Sequence, residues 1–224
     1  MVSVIVPVYN EEKILSQKKE WFRRLSLFCE LIFADGGSRD GSAVIAAGLG
    51  RLVRSGKGRG VQMNKGAESA SCGILLFLPA DALISPETLK FIEEEIARRN
   101  IIAGCLSQRL SGANSIFRLV ELIGNLRASF TKIFYTDQGI FVKRDIFYKM
   151  GGFAEVPLME DAIFSAKLKK AGNTAVLRQK IFVSTRRWEK KGILKTIFIQ
   201  SFINILFMLK FPLNPLSRIY GDLR

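Results

Sequence analysis

The sequence predicts an α/β fold, a mostly parallel central sheet with helices on both faces, and three observations predict it. Residues 74–78 are apolar without alternation, as a strand buried on both faces is written. Through the first hundred residues such runs alternate with amphipathic stretches in the order βαβαβαβα, which requires a parallel sheet covered on both sides. Several of these runs end in a turn that carries an acid, at the sheet edge where α/β proteins collect ligands.

Residues 2–8 are a β-branched strand ended by Pro7-Val8-Tyr9-Asn10. Glu11-Glu12 opens a helix whose apolar positions Ile14, Trp21, Leu25 and Phe28 share one face, with the acids at its positive end. Residues 31–34 form a second strand and deliver Asp35-Gly36-Gly37-Ser38-Arg39-Asp40-Gly41-Ser42. The glycines there admit backbone shapes closed to other residues, Asp40 can cap the next helix, and backbone N–H groups beside one acid suit a nucleotide. A short strand at 51–54 runs into the basic loop Gly56-Lys57-Gly58-Arg59-Gly60 and a helix over 61–71. A dinucleotide fingerprint would need glycine at Val61, so the loop reads either as a phosphate contact through Arg59 or as a plain solvated connection.

The strand at 74–78 ends in Pro79, Ala80 and Asp81, where the acid either turns the chain or serves a site. Ser85 as N-cap and Pro86 at the first helical position then start a helix with Leu89, Ile92 and Ile96 at core spacing. Beyond it the pattern loosens into a strand over 101–106, a helix over 116–130, and the turn Thr136-Asp137-Gln138-Gly139 entering a strand at 140–142. Gly151-Gly152-Phe153 breaks the chain, and Glu160-Asp161 opens a helix with Phe164, Leu168 and Ala171 inward. Acids there complement a helix dipole, and the preceding Leu158-Met159 places them at the edge of the core. Residues 193–211 are apolar but interrupted by Lys195, Gln200, Asn204 and Lys210, too often for the about 20 residues of a spanning helix. They are expected to form an amphipathic helix that packs on the domain or lies in a membrane surface. The chain thus divides into a domain at 1–192 and a C-terminal helix and tail at 193–224.

A net charge of +14 favours phosphate-bearing ligands, nucleic acid or anionic lipid, and nine Lys/Arg against two acids in residues 180–224 carry half of it. Nucleic acid is disfavoured, because acids at strand ends would repel its phosphates. Histidine is absent, which removes His-based triads, His general bases and most zinc sites. Cys29, Cys72 and Cys105 lack metal spacing and read as reduced core residues of a cytoplasmic protein. The N-terminal run has no basic leader and does not read as a signal peptide.

Residues 4–11, the Asp35–Ser42 block, Asp81 after its strand, Gly151-Gly152-Phe153 and Glu160-Asp161 together resemble family 2 glycosyltransferases in order and spacing. Within that family the chain looks like the short bacterial members associated with radical-SAM/selenoproteins. Gln62-Met63-Asn64, Asp137-Gln138-Gly139 and Arg186-Arg187-Trp188 are similar to that group's blocks. The resemblance implies a GT-A fold that binds a nucleotide-diphosphate sugar at the carboxyl edge of the sheet, with inversion at the anomeric carbon. It implies Pro7, Tyr9 and Glu11 at base and ribose, Asp35 and Gly36 at the base, and Arg59, Asn64, Asp137 and Gln138 as further nucleotide-sugar contacts. Asp81 would be the surviving acid of an Asp-x-Asp motif for Mg²⁺ or Mn²⁺. Asp161, with Glu160, would be the general base, and Arg187 and Trp188 would steady the diphosphate or acceptor. The acceptor is expected to be a hydroxyl, lipid-linked if 193–211 rests on the inner membrane face. Two departures stand out: Pro79 replaces the first metal acid, and Ser184 the Gln of Gln-x-x-Arg-Trp. The alternatives are a nucleotide-sugar-binding protein without turnover and a sugar-phosphate nucleotidyltransferase. The latter would need a basic glycine-rich turn after the first strand, where Val8-Tyr9-Asn10-Glu11 stands.

Overall fold

The first strand, β1 (Val2–Val8), shows how the core is laid down: Val2, Val4, Val6 and Val8 enter one apolar layer and Ile5 the other. A computed structural model describes residues 1–209, 211–213 and 215–216, apart from the side chains of Arg187, Lys190 and Met208. The remaining strands are β2 (Glu30–Asp35), β3 (Arg51–Arg54), β4 (Ile74–Phe77), β5 (Ala82–Leu83), β6 (Ala103–Leu110), β7 (Ile140–Lys143) and β8 (Thr174–Val183). They form a single sheet in the order β3-β2-β1-β4-β7-β6-β8-β5. Pairing is parallel from β3 through β4 and between β6 and β8, while β7 and β5 run against their neighbours.

Helices cover both faces, as the sequence predicts. On one side lie α1 (Glu12–Gln17), α2 (Lys19–Leu25), α3 (Ser42–Ala47) and α5 (Glu87–Arg99), which bury Leu15, Phe22, Ala46 and Ile92. On the other lie α4 (Arg59–Glu68), α7 (Arg144–Lys149) and α8 (Glu160–Ala171), with Met63, Phe147 and Phe164 inward. The long α6 (Ser115–Thr131) sends Phe117 into the first layer and Ala128 into the second. The short α9 (Arg186–Lys191) leads to α10 (Ile193–Met208), whose Ile203 packs with Leu158, Met159 and Ala162 at the start of α8.

Several details differ from the sequence reading. The expected helix from Glu11 to Phe28 breaks at Lys18, and because α2 ends at Leu25, Phe28 lies past its last turn and is exposed. Ala171 is the last residue of α8, beyond the sheet's cover, and is exposed rather than inward. Ser85 gives no side-chain cap; its carbonyl accepts from the Thr88 N–H at 2.9 Å, and α5 starts at Glu87. The ten-residue β8 has no counterpart in the reading, because Arg178-Gln179-Lys180 interrupts its apolar pattern where the register to β6 slips at Leu106/Ser107.

Candidate functional site

Pro7 opens the crevice where the strand order changes direction. In a parallel ladder the N–H and C=O of one residue point to the same side. Ile5 faces β4, where its C=O accepts from the Leu78 N–H at 2.9 Å, and Val8 faces β2, where its C=O accepts from the Gly36 N–H at 2.9 Å. Pro7 shares the parity of Ile5 but has no N–H to give, so β1 and β4 part beyond that rung. Ligand crevices of open α/β sheets form at such a switch point, outside the carboxyl ends of the strands.

One wall of the crevice is two zipped turns. Asn10, at φ 54°, donates its N–H to Ser38 Oγ (2.9 Å) and accepts the Arg39 N–H on Oδ1 (2.9 Å). Glu11 N–H donates to Ser42 Oγ at 2.7 Å, and Asp40 takes the Ser42 N–H and the Glu12 N–H; the N-cap position of α3 is Gly41, so Asp40 braces the turn rather than capping the helix as expected. Asp35 is buried with its carboxylate turned back on the N–H groups of Gly37 and Ser38, at 3.2 Å each. Tyr9 lies under the Lys57 ammonium, 4.5 Å from its ring centroid, so the basic glycine loop reaches this wall.

Gln62, buried in α4, stitches the wall to the sheet by donating Nε2 to Val8 O (2.7 Å) and Ala34 O (3.0 Å). It sits so close under Gly36 that a Cβ there would meet Gln62 Cδ at 2.9 Å. Gln62→Leu should therefore destabilise the fold by about 1–3 kcal/mol through the loss of two buried hydrogen bonds, read as a lowered chemical-denaturation midpoint. Asn64, one helical step on, spends its amide on Phe153, donating to its O at 3.0 Å and accepting its N–H at 2.9 Å. It thereby pins the Gly151-Gly152-Phe153 turn to α4.

The second wall is built from acids. Asp161, at the start of α8, accepts on Oδ2 the N–H (2.9 Å) and hydroxyl (3.0 Å) of Thr136, and on Oδ1 the Ala162 N–H (2.8 Å). The residue before the pair, Met159, is held at φ 67°, a left-handed conformation costly for a side-chain residue. Glu160 is buried beside Gly60 of α4. Asp137, in the 3₁₀ turn Thr136–Gln138, accepts from Gln108 Nε2 at 2.8 Å on Oδ2, while Oδ1 is buried without a hydrogen-bond partner. Burial and then the Asp161 charge push its carboxyl above the usual carboxylate range, against the pull of Arg59. Gln138 Nε2 is likewise buried without a partner. Its Oε1 accepts from Arg127, whose guanidinium lies 4.1 Å over the ring of Tyr135.

Asp81 stands half-buried in the turn between β4 and β5, closed by the Ala82 N–H donating to Pro79 O at 3.1 Å. The α1–α2 junction covers this turn, held by Trp21 Nε1 donating to Ile84 O at 3.1 Å. Lys18 at that junction feels the charges of both Asp81 and Glu11, although burial dominates and pulls its ammonium below the usual lysine value.

Pro7, Tyr9, Glu11, Asp35, Gly36, Asp81, Asp137 and Gln138 thus lie along one sheet edge, and Arg59, Glu160 and Asp161 join Asp137 there. Trp188 instead packs its ring on Phe117, at 6.1 Å between centroids. The side chain of Arg187 lies outside the described residues. Sequence reasoning missed Lys18, Gln108, Arg127, Tyr135 and Thr136, whose partners are distant in the chain. Lys18 alone left a trace, seven residues after Glu11 and hence two helical turns along the same face. The Cys29 thiol is pushed up to about 12, chiefly by burial, which suits a reduced thiol rather than a nucleophile.

Comparison with known proteins follows the same lines. The chain is similar in structure to Staphylococcus aureus TarS 1–349 in complex with UDP-GlcNAc (TM-score 0.64, 20% identity, 82% of this chain and 58% of that one). It is similar to the mannosyltransferase PcManGT of Pyrobaculum calidifontis in complex with GDP-Man and Mn²⁺ (TM-score 0.65, 22% identity, 99% and 69%). A third is glucosyl-3-phosphoglycerate synthase of Mycobacterium tuberculosis with Mn²⁺, UDP and glucosyl-3-phosphoglycerate (TM-score 0.61, 17% identity, 95% and 81%). The chain spans under two thirds of the TarS 1–349 length, and no curated protein matches it by sequence. Residues 3–155, more than half of the chain and including both turns of the first wall, match the family described as Glycosyl transferase family 2, and the chain belongs to that family.

Proposed function

We propose that this chain transfers a sugar from a nucleotide-diphosphate sugar to an acceptor hydroxyl, with inversion at the anomeric carbon. The observation that carries this reading is the pair of buried, unpartnered polar atoms on neighbouring residues, Asp137 Oδ1 and Gln138 Nε2. Buried polar groups are almost always satisfied by protein, ordered water or a ligand, and in this reading a ligand completes these two. One accepts and the other donates, and a sugar hydroxyl can do both. The family membership and the nucleotide-sugars bound by TarS and PcManGT support the same ligand class.

In this reading the nucleoside lies between Tyr9, Glu11 and Asp35, and the diphosphate runs toward Asp81 under Lys18, Lys57 and Arg59. The acceptor oxygen attacks the anomeric carbon, the bond from that carbon to the diphosphate oxygen breaks, and the acceptor proton passes to Asp161. Without histidine a carboxylate is the natural base. Among the described residues no group of three or more His, Cys, Asp or Glu could hold a metal ion. In this reading Asp81 would give Mg²⁺ or Mn²⁺ one hard oxygen donor, diphosphate and water would supply the rest of the shell, and the cation would neutralise the leaving group.

Calorimetric titration with UDP and GDP tests the reading: binding to one of them supports it, and absence of heat with both, with and without Mn²⁺, contradicts it. The shared metal site makes a further prediction. Mn²⁺ alone should bind negligibly, and nucleotide affinity should rise with Mn²⁺ in the wild type but not in Asp81→Asn. An equal Mn²⁺ effect in both proteins would place the cation elsewhere.

A further inference from the structure

The sheet edge ends beside two helices whose outer faces are left uncovered among the described residues. On α6 the stripe Leu119, Leu122, Ile123, Leu126 and Phe130 is exposed, with Phe130 81% accessible, while Phe117 and Ala128 on the opposite side are buried. On α10 the residues Leu194, Phe198, Phe202, Ile205 and Leu209 are exposed at spacings of three to four, and Leu194 and Phe198 are each 71% accessible. The opposite face of α10 is apolar as well, with Ile203 buried and Leu206 packed against the start of α8. The sequence reading expected an amphipathic helix here; α10 is apolar on both sides, and a helix of that kind requires cover on both.

The two helices approach each other at their starts. Asn114 and Ile116 at the start of α6 face Glu189 of α9 and residues 192–195 at the start of α10 across a groove of about 620 Å³. Past the end of α6, Ile133 packs on the α10 layer, and the Tyr135 hydroxyl donates to Asn204 Oδ1 at 3.0 Å. Neither helix offers an exposed carboxylate. The lone acid of α6, Glu121, is buried and paired with Arg109 and Arg118, and α10 contains no acid. Exposed Lys195 stands at the head of α10, exposed Arg186 opens the preceding α9, and Lys132 closes α6. Among the described residues no helix is long and apolar enough to cross a membrane.

We propose that α6 and α10 together form a platform that seats the protein on an anionic lipid bilayer and that the acceptor is presented from that surface. Large apolar side chains on two helices without an exposed acid, flanked by cations, match the acyl and headgroup layers of such a surface, and the exposed Glu189 of α9 at the groove accepts from the Thr185 hydroxyl at 2.9 Å. A protein partner of matching shape would be expected to meet some polar specificity on this face, and the stripes offer little. The placement also explains the route of the acceptor. Tyr135, anchored to α10, adjoins the turn that holds Asp137 and, through Thr136, Asp161. The acceptor's identity rests on the glycosyl-transfer reading, whereas the platform does not.

The test is sedimentation of the full chain with vesicles of phosphatidylcholine alone and with 30% phosphatidylglycerol. The wild type should pellet with the anionic vesicles, and the double variant Ile123→Glu/Phe130→Glu, with α10 untouched, should lose at least tenfold in partitioning. UDP or GDP titration of the same variant should match the wild type, which shows that the fold survives. Failure of the wild type to bind vesicles, or equal binding by the double variant, overturns the platform. A wild-type dimer that becomes monomeric in the variant without any vesicle binding would assign the face to a second copy and equally overturn it. Vesicle binding without nucleotide binding would leave the platform standing and remove the glycosyl-transfer reading.

Discussion

Asp161→Asn should abolish sugar transfer while leaving nucleotide affinity within a few-fold of the wild type. The asparagine oxygen can still accept from the Thr136 N–H and hydroxyl, which hold the side chain at 2.9 and 3.0 Å, while its amide nitrogen gives up the bond to the Ala162 N–H, so the side chain stays in the wall with one bond fewer. What is lost is the capacity to take a proton, a contribution of about 10²–10⁴ in rate. Single-turnover transfer and calorimetric nucleotide binding, measured on the same preparation, separate the two effects. Transfer that persists would move the base to another carboxylate, and Asp137 is the nearest competitor. Its free oxygen and elevated carboxyl are what a base poised closer to neutral pH would show.

Asp137→Asn should show the opposite pattern in stability. Burial and the neighbouring Asp161 charge raise the Asp137 carboxyl above its value in the unfolded chain, so the fold favours the protonated form. The sign follows by linkage: the native state binds this proton more tightly, and stability is lost as pH rises through the unfolded and then the folded value. Above both values the ionised group burdens the fold, and asparagine removes that burden. The variant should therefore melt higher than the wild type at pH 7, by about 2–4 °C for each kcal/mol relieved in a chain of this size. The advantage should fade toward pH 3–4, near the usual Asp value of about 3.9, where the wild-type carboxyl also carries its proton. The same substitution removes an acceptor offered to the sugar and should weaken nucleotide-sugar binding more than binding of the bare nucleotide. An unchanged melting temperature at pH 7 would mean that solvent already relieves the charge.

Together these variants explain why the acids were legible in the sequence and their surroundings were not. Asp35, Asp81 and the Glu160-Asp161 pair announce themselves by position, each at the end of an apolar strand or the head of a helix, and the fold sets them along one edge. The order β1 to β4 follows from runs with no polar alternation. Past residue 100 the signal weakens because the elements are stabilised by distant partners rather than by local pattern. The strand β8 carries a basic interruption that its register slip against β6 accommodates, and its first half reads as a strand only beside β6. Likewise Gln108 carries no sequence mark, yet it is the side chain that clasps Asp137, and Asn125 of α6 holds its backbone at 2.8 and 3.1 Å. Asn64 was legible as part of a block, but its work in the fold is to pin Phe153.

The central claim is that the crevice released by Pro7 holds a nucleotide-diphosphate sugar across the acids, and a crystal structure of the chain with such a sugar tests it most directly. The nucleoside should lie against Tyr9 and Asp35, the diphosphate near Asp81 and Lys18, and sugar hydroxyls on Asp137 Oδ1 and Gln138 Nε2. A nucleotide seated instead in the open cleft of about 410 Å³ between Arg54, Asn64, Lys65 and Glu155, with both of those atoms still unpartnered, would contradict it.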